Sequence, residues 1–286
     1  MFSKQVLAGV LSFLLIAETV SAIPRHSFLS SAFLEKREAF NSITSYTGDP
    51  KPPKEFATDS GPQAKSNYQY QCFGQKGLAY PKSTQFISFD SMWDANKADV
   101  VGSNGGDQGA ANSIKNAILE VSKKTNMFPQ YTLAIVMQES VGNLKAKCTS
   151  TSKGQPDECG LMQASPGGTN ANGNSSATQQ IEDGLLGTKT GGYNGKGRCG
   201  FVQIFMGITD CVGEAGTAIM KSKPASVWPF WAAARLYNSG GADENDLETC
   251  PQSQGTPSYV MDIANRVLGW TGEHKEGECG IKAGAA

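Results

Sequence analysis

The chain has 286 residues and is nearly neutral, with 25 lysines and arginines against 26 aspartates and glutamates. This length is enough for one good-sized domain plus extensions. The balanced charge argues against a nucleic-acid partner, which needs a concentrated basic face. His274 is the only histidine after residue 37, which almost excludes histidine-based metal sites and Ser-His or Cys-His catalysis. We therefore expect no metal and no other cofactor.

The first 37 residues carry two processing signals. Residues 1–22 have Lys4, then an apolar run, then Val20-Ser21-Ala22, which is the order of a secretory signal peptide. Lys36-Arg37 is a dibasic pair of the kind that secretory convertases cut, in a segment that resembles fungal pro-sequences. Residues 23–37 are accordingly predicted to be a pro-segment.

Residues 38–90 are predicted to form an extended N-terminal arm, because their first part is rich in proline and small polar residues. Alternation over Thr84–Phe89 predicts a short strand that lies over the domain. No apolar run after the signal peptide reaches membrane-spanning length. A secreted, extracellular protein with no membrane partner is expected, as a monomer.

Residues 91–286 are predicted to form one mainly α domain, with a small β-hairpin region and disulfide-closed loops. Apolar residues at helical spacing predict helices that begin near Asp90 and near Thr178, and others over Ala111–Asn126, Phe201–Ile208, Val227–Asn238 and Tyr259–Leu268. A further helix is predicted within the stretch Pro129–Asn143.

Seven cysteines follow the pro-segment. In an oxidising compartment most of them are expected to be paired. Cys148–Cys159 and Cys199–Cys211 each flank a short polar loop and are the expected local bridges. Cys72, Cys250 and Cys279 then leave one more bridge and one odd thiol, with the pairing open. Asn174 begins a glycosylation sequon and is expected to carry a glycan.

Glu139 is the candidate for acid catalysis. It follows a run from Tyr131 to Met137 in which only Thr132 is polar, so its helix is expected to be buried on all sides. Pro129 fits the first turn, and Gly142-Asn143 provides the stop. Apolar surroundings and the helix C-terminus both disfavour a charged carboxylate, so the pKa of Glu139 is expected to be raised. A raised pKa suits a general acid near neutral pH.

Three motifs in one order carry a resemblance to known proteins. They are Glu139-Ser140, Gly160-Leu161-Met162-Gln163, and the segment from Ala234 to Gly240 that contains Tyr237-Asn238. Together they resemble the soluble lytic transglycosylase and goose-type lysozyme group of the lysozyme-like superfamily, over roughly residues 111–268. The resemblance implies an α+β lysozyme-like fold and makes Glu139 the general acid at a glycosidic oxygen.

The resemblance also implies roles for the residues around Glu139. Substrate contacts are expected from Ser140, Leu161, Met162, Gln163, Tyr237 and Asn238. Tyr193, in a glycine loop, is a further candidate for contact with a sugar. Trp228, Phe230 and Trp231 fit the core better than a sugar-stacking surface, and Trp93 fits either.

A second carboxylate would decide the route, since inverting and retaining glycosidases both use two. The candidates are Asp157, Glu158, Glu182 and Asp183, and the resemblance favours Asp183 as a second catalytic residue. Without one, Glu139 acts alone, and a hydroxyl or acetamido group of the substrate attacks. The expected function is cleavage of β-1,4 bonds in N-acetylated polysaccharides, with peptidoglycan ahead of chitin. The alternatives are a non-catalytic lysozyme-like glycan-binding protein and a disulfide-stabilised structural or interaction protein.

Overall fold

The computed structural model describes residues 58–74, 78–149, 158–164, 175–188, 199–222, 228–243, 246–248, 255–272 and 279. Within these ranges lie eight α-helices: α1 (Phe89–Ser103), α2 (Gln108–Thr125), α3 (Pro129–Ser140), α4 (Ala177–Leu186), α5 (Phe201–Phe205), α6 (Thr209–Ser222), α7 (Trp228–Ser239) and α8 (Tyr259–Arg266). The predicted mainly helical fold is confirmed. The signal peptide, the pro-segment, Asn174, Tyr193, Cys250 and His274 lie outside the described residues.

Helix α3 is the centre of the fold. Pro129 and every residue from Tyr131 to Met137 are buried, and α1, α2 and α8 pack around the helix. The Tyr131 hydroxyl donates a hydrogen bond of 2.7 Å to the carbonyl of Phe230, which joins α3 to α7. An apolar helix surrounded on all sides has solvent access only at its ends. The last turn of α3 is therefore the place where polar side chains leave the core.

The end of the predicted arm packs against the helices. Phe86 is buried, and its ring lies edge-on to Trp231 at a centroid distance of 6.5 Å. The predicted strand over Thr84–Phe89 is wrong, because the chain forms a 3-10 turn at Ser83–Gln85 and then begins α1. Phe86, Ile87 and Phe89 are all buried, so the segment has no alternating solvent face, and the buried Ser88 caps α1 by accepting from the amide of Ser91.

Three disulfides close the structure. The predicted bridges Cys148–Cys159 and Cys199–Cys211 are confirmed, with Cα atoms 4.1 Å and 5.7 Å apart. The third bridge joins Cys72 to Cys279, whose Cα atoms are 5.4 Å apart. It closes the two ends of the helical region, 207 residues apart in the chain. These bridges account for every cysteine in the sequence except Cys250.

One helix was missed by the sequence analysis, and the predicted β-hairpin is left open by the structure. Helix α6 was not predicted, because Gly213 breaks its pattern with a φ of 68°. The small β-hairpin is not shown. In the described part of the chain, β pairing consists of one antiparallel bridge between Thr149 and Glu158, beside the Cys148–Cys159 disulfide.

Candidate active site

Glu139 lies half-buried in the last turn of α3, as the apolar run predicted. The helix ends at Ser140, and Val141 caps it in the left-handed conformation, with φ 53° and ψ 31°. The predicted stop at Gly142-Asn143 is thus one residue late. The helix carries the Glu139 carboxyl from the core to a partly exposed position.

The nearest partner of Glu139 is Tyr259, which the sequence analysis did not single out. The Tyr259 hydroxyl donates a hydrogen bond of 2.5 Å to Oε1 of Glu139, across 120 residues of sequence. Tyr259 is only 2% exposed and begins α8. Burial raises the pKa of Tyr259 well above its usual value, and the charge of Glu139 adds to the effect. The phenol therefore stays protonated, and it remains a donor to the carboxylate.

A buried polar network holds α3 and α8 together beside this pair. The Asp262 carboxylate, 1% exposed, accepts hydrogen bonds from Tyr70 (2.6 Å), Ser258 (2.8 Å) and Gln138 (3.1 Å). Arg266 donates from Nε to the amide oxygen of Gln138 at 3.0 Å. Because Gln138 is adjacent to Glu139 in the chain, this network fixes the end of α3 that bears the candidate acid. Buried polar groups that are fully hydrogen-bonded stabilise one arrangement.

The three sequence motifs meet at the turn formed by residues 160–163. The Ser140 hydroxyl lies within hydrogen-bond distance of two carbonyl oxygens, that of Leu161 at 2.9 Å and that of Val136 in its own helix at 3.1 Å. The Tyr237 hydroxyl donates to the carbonyl oxygen of Met162 at 2.7 Å. Leu161 and Met162 are fully buried. One turn thus joins the end of α3 to the end of α7, and Tyr237 contacts the turn's backbone.

Gln163 forms hydrogen bonds to the residues on either side of Cys148. It adopts a φ of 45°, and its amide oxygen accepts from the Thr149 hydroxyl at 2.9 Å. Its amide nitrogen donates to the carbonyls of Lys147 (3.3 Å) and Gly160 (3.0 Å). The polar atoms of Gln163 are therefore engaged at the base of the Cys148–Cys159 loop.

Helix α4 supports the same turn from behind. Gln180, which the sequence analysis did not single out, accepts from the amide of Leu161 at 2.9 Å. A Cβ placed on Gly184 would meet Met162 Sδ at 2.4 Å, so helix and turn are in direct contact there. Asp183, the favoured second carboxylate, is buried in α4 and accepts from Gln179 of its own helix at 2.9 Å. Its catalytic role stays a prediction.

Arg235 and Asn238 hold the segment that leads to Tyr259. Arg235 is fully buried and donates to the carbonyls of Leu247 (3.3 Å), Pro257 (3.1 Å) and Thr256 (3.0 Å). The side-chain oxygen of Asn238 accepts from Arg235 and from the amide of Thr256 (2.8 Å). The described bonds of Asn238 thus position α8, and its expected contact with substrate stays a prediction.

The other candidates occupy different places. Phe230 and Trp231 are buried, so the core interpretation is confirmed for them, and the structure places Trp93 in the core as well. The side chain of Trp228 lies outside the described residues. Glu182 pairs with Lys124 at 2.6 Å on the surface between α4 and α2. Glu158 forms the β-bridge with Thr149. Asp157, the remaining candidate for the second carboxylate, lies outside the described residues.

The described ranges contain no cluster of three or more histidine, cysteine or acidic residues able to hold a metal ion. None of the described helices is long and apolar enough to cross a membrane. Comparisons with family models, with curated proteins and with solved structures find no match for the chain. The resemblance to lytic transglycosylases and goose-type lysozymes therefore rests on the three sequence motifs alone.

Proposed function

We propose that the protein is a secreted glycoside hydrolase or lytic transglycosylase. It cleaves β-1,4 bonds in N-acetylated polysaccharides, peptidoglycan in preference to chitin, with Glu139 as the general acid and base. The observation that supports this most is the contact among the three motifs. Ser140 and Tyr237 both bond to the backbone of the 160–163 turn, while Tyr259 holds the Glu139 carboxyl at 2.5 Å. The turn is thus bonded to the residue next to Glu139 in the chain, and the partly exposed carboxyl group itself is bonded to Tyr259.

In the proposed reaction, protonated Glu139 gives its proton to the glycosidic oxygen as the bond from that oxygen to the anomeric carbon breaks. Glu139 becomes a carboxylate, and the Tyr259 hydroxyl stabilises the new charge, since a hydrogen bond to an ionised group is a strong one. The carboxylate then takes a proton from the attacking group. Attack by water gives a hydrolysed sugar, whereas attack by a hydroxyl of the substrate gives an anhydro sugar.

The proposal extends to the fold and the setting of the enzyme. We infer a lysozyme-like fold with a small β-hairpin around the Thr149–Glu158 bridge, in which the Cys148–Cys159 disulfide closes the hairpin. Three disulfides are typical of proteins from oxidising compartments, which supports secretion. A monomer acting on an insoluble polysaccharide fits this setting.

The test is digestion of purified peptidoglycan and of chitin oligomers, with the products identified by mass spectrometry. Glu139→Gln keeps the shape of the side chain but removes the transferable proton, so turnover is expected to fall by at least about 100-fold. Glu120→Gln is the matched control, because it makes the same change at an exposed position in α2. Full turnover by Glu139→Gln on every glycan that the native protein digests would refute the assignment.

Asp183→Asn separates the possible routes. A loss comparable to that of Glu139→Gln would indicate two catalytic carboxylates. A near-normal rate with an anhydro product would indicate that Glu139 acts alone. If the native protein bound glycans without cleaving any, it would be a lysozyme-like binding protein instead.

A further inference from the structure

Helix α8 begins without a side-chain cap of its own. Ser258 is its N-terminal cap residue, but the Ser258 hydroxyl makes no cap bond to an amide of the helix and donates instead to Asp262 at 2.8 Å. The first amides of a helix have no intrahelical partner, and a cap side chain usually supplies one. Contacts from outside α8 therefore have to fix where it begins. This start is also the place of the candidate site, because Tyr259, the partner of Glu139, is the first residue of α8.

Two side chains of α7 hold the peptide that leads into α8. The amide of Thr256 donates to Oδ1 of Asn238 at 2.8 Å, and the carbonyl oxygen of Thr256 accepts from Arg235 at 3.0 Å. The same carbonyl oxygen accepts from the backbone amide of Tyr259 at 3.0 Å. Arg235 also donates to Oδ1 of Asn238. Both polar backbone atoms of Thr256 are thus bonded to α7, and one of them is bonded to Tyr259 as well.

Gly255 allows this close approach. It has a φ of 93°, and a Cβ placed on it would meet Asn238 Oδ1 at 2.5 Å and Ser239 Cβ at 3.0 Å. There is thus no space for a side chain between this segment and the end of α7. The separation of α7 from the start of α8 is therefore set by direct contact with the Asn238 side chain.

We propose that Asn238 is a positioning residue, which aligns Tyr259 with the Glu139 carboxyl and does not itself contact the glycan. Its side-chain oxygen already accepts two hydrogen bonds, one for each lone pair of an amide oxygen. A shift of the Thr256 peptide would move the first turn of α8, and with it the phenol that lies 2.5 Å from Glu139. Hydrogen bonds weaken steeply when their geometry is disturbed. The inference rests on the proposed function, and it gives Asn238 a role different from the substrate contact that the resemblance implies.

The test compares two substitutions of Asn238 in cleavage of a soluble oligosaccharide. Asn238→Ala removes both bonds, so kcat is expected to fall about 10-fold with KM unchanged, because the Tyr259 bond is misaligned. Asn238→Asp keeps an acceptor oxygen for Thr256 and Arg235 and loses only the NH2 group, so kcat should stay within about twofold of the native value. A glycan contact through the NH2 group would instead raise KM in both variants. That result would overturn the inference, and the aspartate variant gives it even where the alanine variant does not fold.

A double-mutant cycle shows whether Asn238 acts through Tyr259. In the Tyr259→Phe background, Asn238→Ala should cause no further loss of kcat, because the bond that it disturbs is already absent. Losses that multiply would overturn the inference. Ser239→Ala is the matched control, since the neighbouring hydroxyl contacts the carbonyl oxygens of Arg235 (2.9 Å) and Gly241 (2.7 Å) at the end of α7. The control should lower Tm and leave kcat and KM unchanged.

A measurement without turnover separates the inference from the proposed function. Titration of the Glu139 carboxyl, followed by 13C NMR and identified by its loss in Glu139→Gln, should move to higher pH in Asn238→Ala as in Tyr259→Phe. It should stay in place in Ser239→Ala. This shift without cleavage of any glycan would support the inference and overturn the enzymatic function. Cleavage without the shift would overturn the inference alone, and the absence of both would overturn both.

Discussion

Tyr259 and Glu139 form the contact on which the proposed chemistry depends most closely. The tyrosine approaches from a helix 120 residues further along the chain, and its burial keeps the hydroxyl protonated. A protonated phenol favours the ionised form of the carboxyl group that it contacts. The pair therefore suits an acid that must release its proton to the leaving sugar and then act as a base.

Tyr259→Phe is predicted to slow glycan cleavage by roughly 10- to 100-fold while the protein stays folded. One hydrogen bond to a charged group contributes about 1.5–3 kcal/mol, and this variant removes only that bond. Without the donor, the carboxylate is less favoured, so the basic limb of the kcat/KM profile should move to higher pH. Rates measured across pH on a soluble oligosaccharide would show both effects.

Tyr131→Phe is the matched control for this substitution. Tyr131 is also buried in the helical core, but its hydroxyl bonds to a carbonyl of α7 and does not contact Glu139. Tyr131→Phe should lower the free energy of unfolding and leave the pH dependence of kcat/KM unchanged. An identical pH profile for the native protein and Tyr259→Phe would mean that Tyr259 does not act on the carboxyl group.

The sequence predicted where Glu139 lies but gave no sign of Tyr259. The position of Glu139 follows from local pattern, because the apolar run from Tyr131 to Met137, with Pro129 before it and Gly142 after it, predicts a buried helix with a polar last turn. The partner depends on how α8 packs across α3, which periodicity does not encode. Tyr259 was visible only as the first residue of the last predicted helix.

At the scale of elements, the 160–163 turn is the point where α3, α4 and α7 meet. Its position relative to α4 depends on Gly184, because any side chain there would overlap Met162. The turn in turn receives the hydrogen bonds of Ser140 and Tyr237. Close contact between this helix and the turn is therefore a condition for the arrangement of the three motifs.

Gly184→Ala is predicted to destabilise the protein by about 1–3 kcal/mol, the usual cost of overpacking a core. Cleavage should fall as well, because Met162 and its turn must shift. Gly102→Ala in α1 is the matched control, since a Cβ placed there would have no neighbouring atom within 4 Å. It should be neutral or stabilise by up to about 1 kcal/mol from helix propensity. Urea unfolding would measure both, and a Gly184→Ala protein as stable as the native one would contradict the close approach.

The elements themselves were largely predictable, and the exceptions have physical causes. Helices α2, α3, α7 and α8 follow from apolar spacing with proline or glycine at their ends. The strand over Thr84–Phe89 was wrong because alternation over so few residues does not distinguish a strand from a turn that caps a helix. Helix α6 was missed because its glycines interrupt the pattern.

At the scale of the whole molecule, the segment before α1 is tied to the last helix. The backbone amide of Gln71 donates a hydrogen bond to Oδ1 of Asn265 at 2.8 Å, and the backbone carbonyl of Gln71 accepts one from Nδ2 of Asn265 at 2.9 Å. The Cys72–Cys279 bridge begins at the next residue. Because Asn265 belongs to the helix that supplies Tyr259, the N-terminal segment contributes to the framework around the candidate site.

A second long-range contact buries a carboxyl group. Glu248 is almost wholly buried, and the Tyr80 hydroxyl bonds to one of its oxygens from 168 residues earlier in the chain. Burial raises the pKa of Glu248 to about 8, although Tyr80 and Arg235 oppose the rise. The native protein therefore holds a proton on Glu248 at neutral pH. The unfolded chain would release that proton near the ordinary value of 4.5.

This difference predicts that the free energy of unfolding falls as pH rises from about 5 to 8. In that interval the native state binds a proton that the unfolded state has lost, so the contribution of Glu248 is fully present below 4.5 and is lost as pH passes about 8. The slope for one group is roughly 1 kcal/mol per pH unit.

Glu248→Gln is neutral at every pH, so its free energy of unfolding should lack this part of the slope. Tyr80→Phe removes a donor that lowers the pKa, so the decline should extend to higher pH. Urea unfolding of the disulfide-intact proteins across pH would measure both, and parallel curves for the native protein and Glu248→Gln would show that Glu248 is not the group responsible.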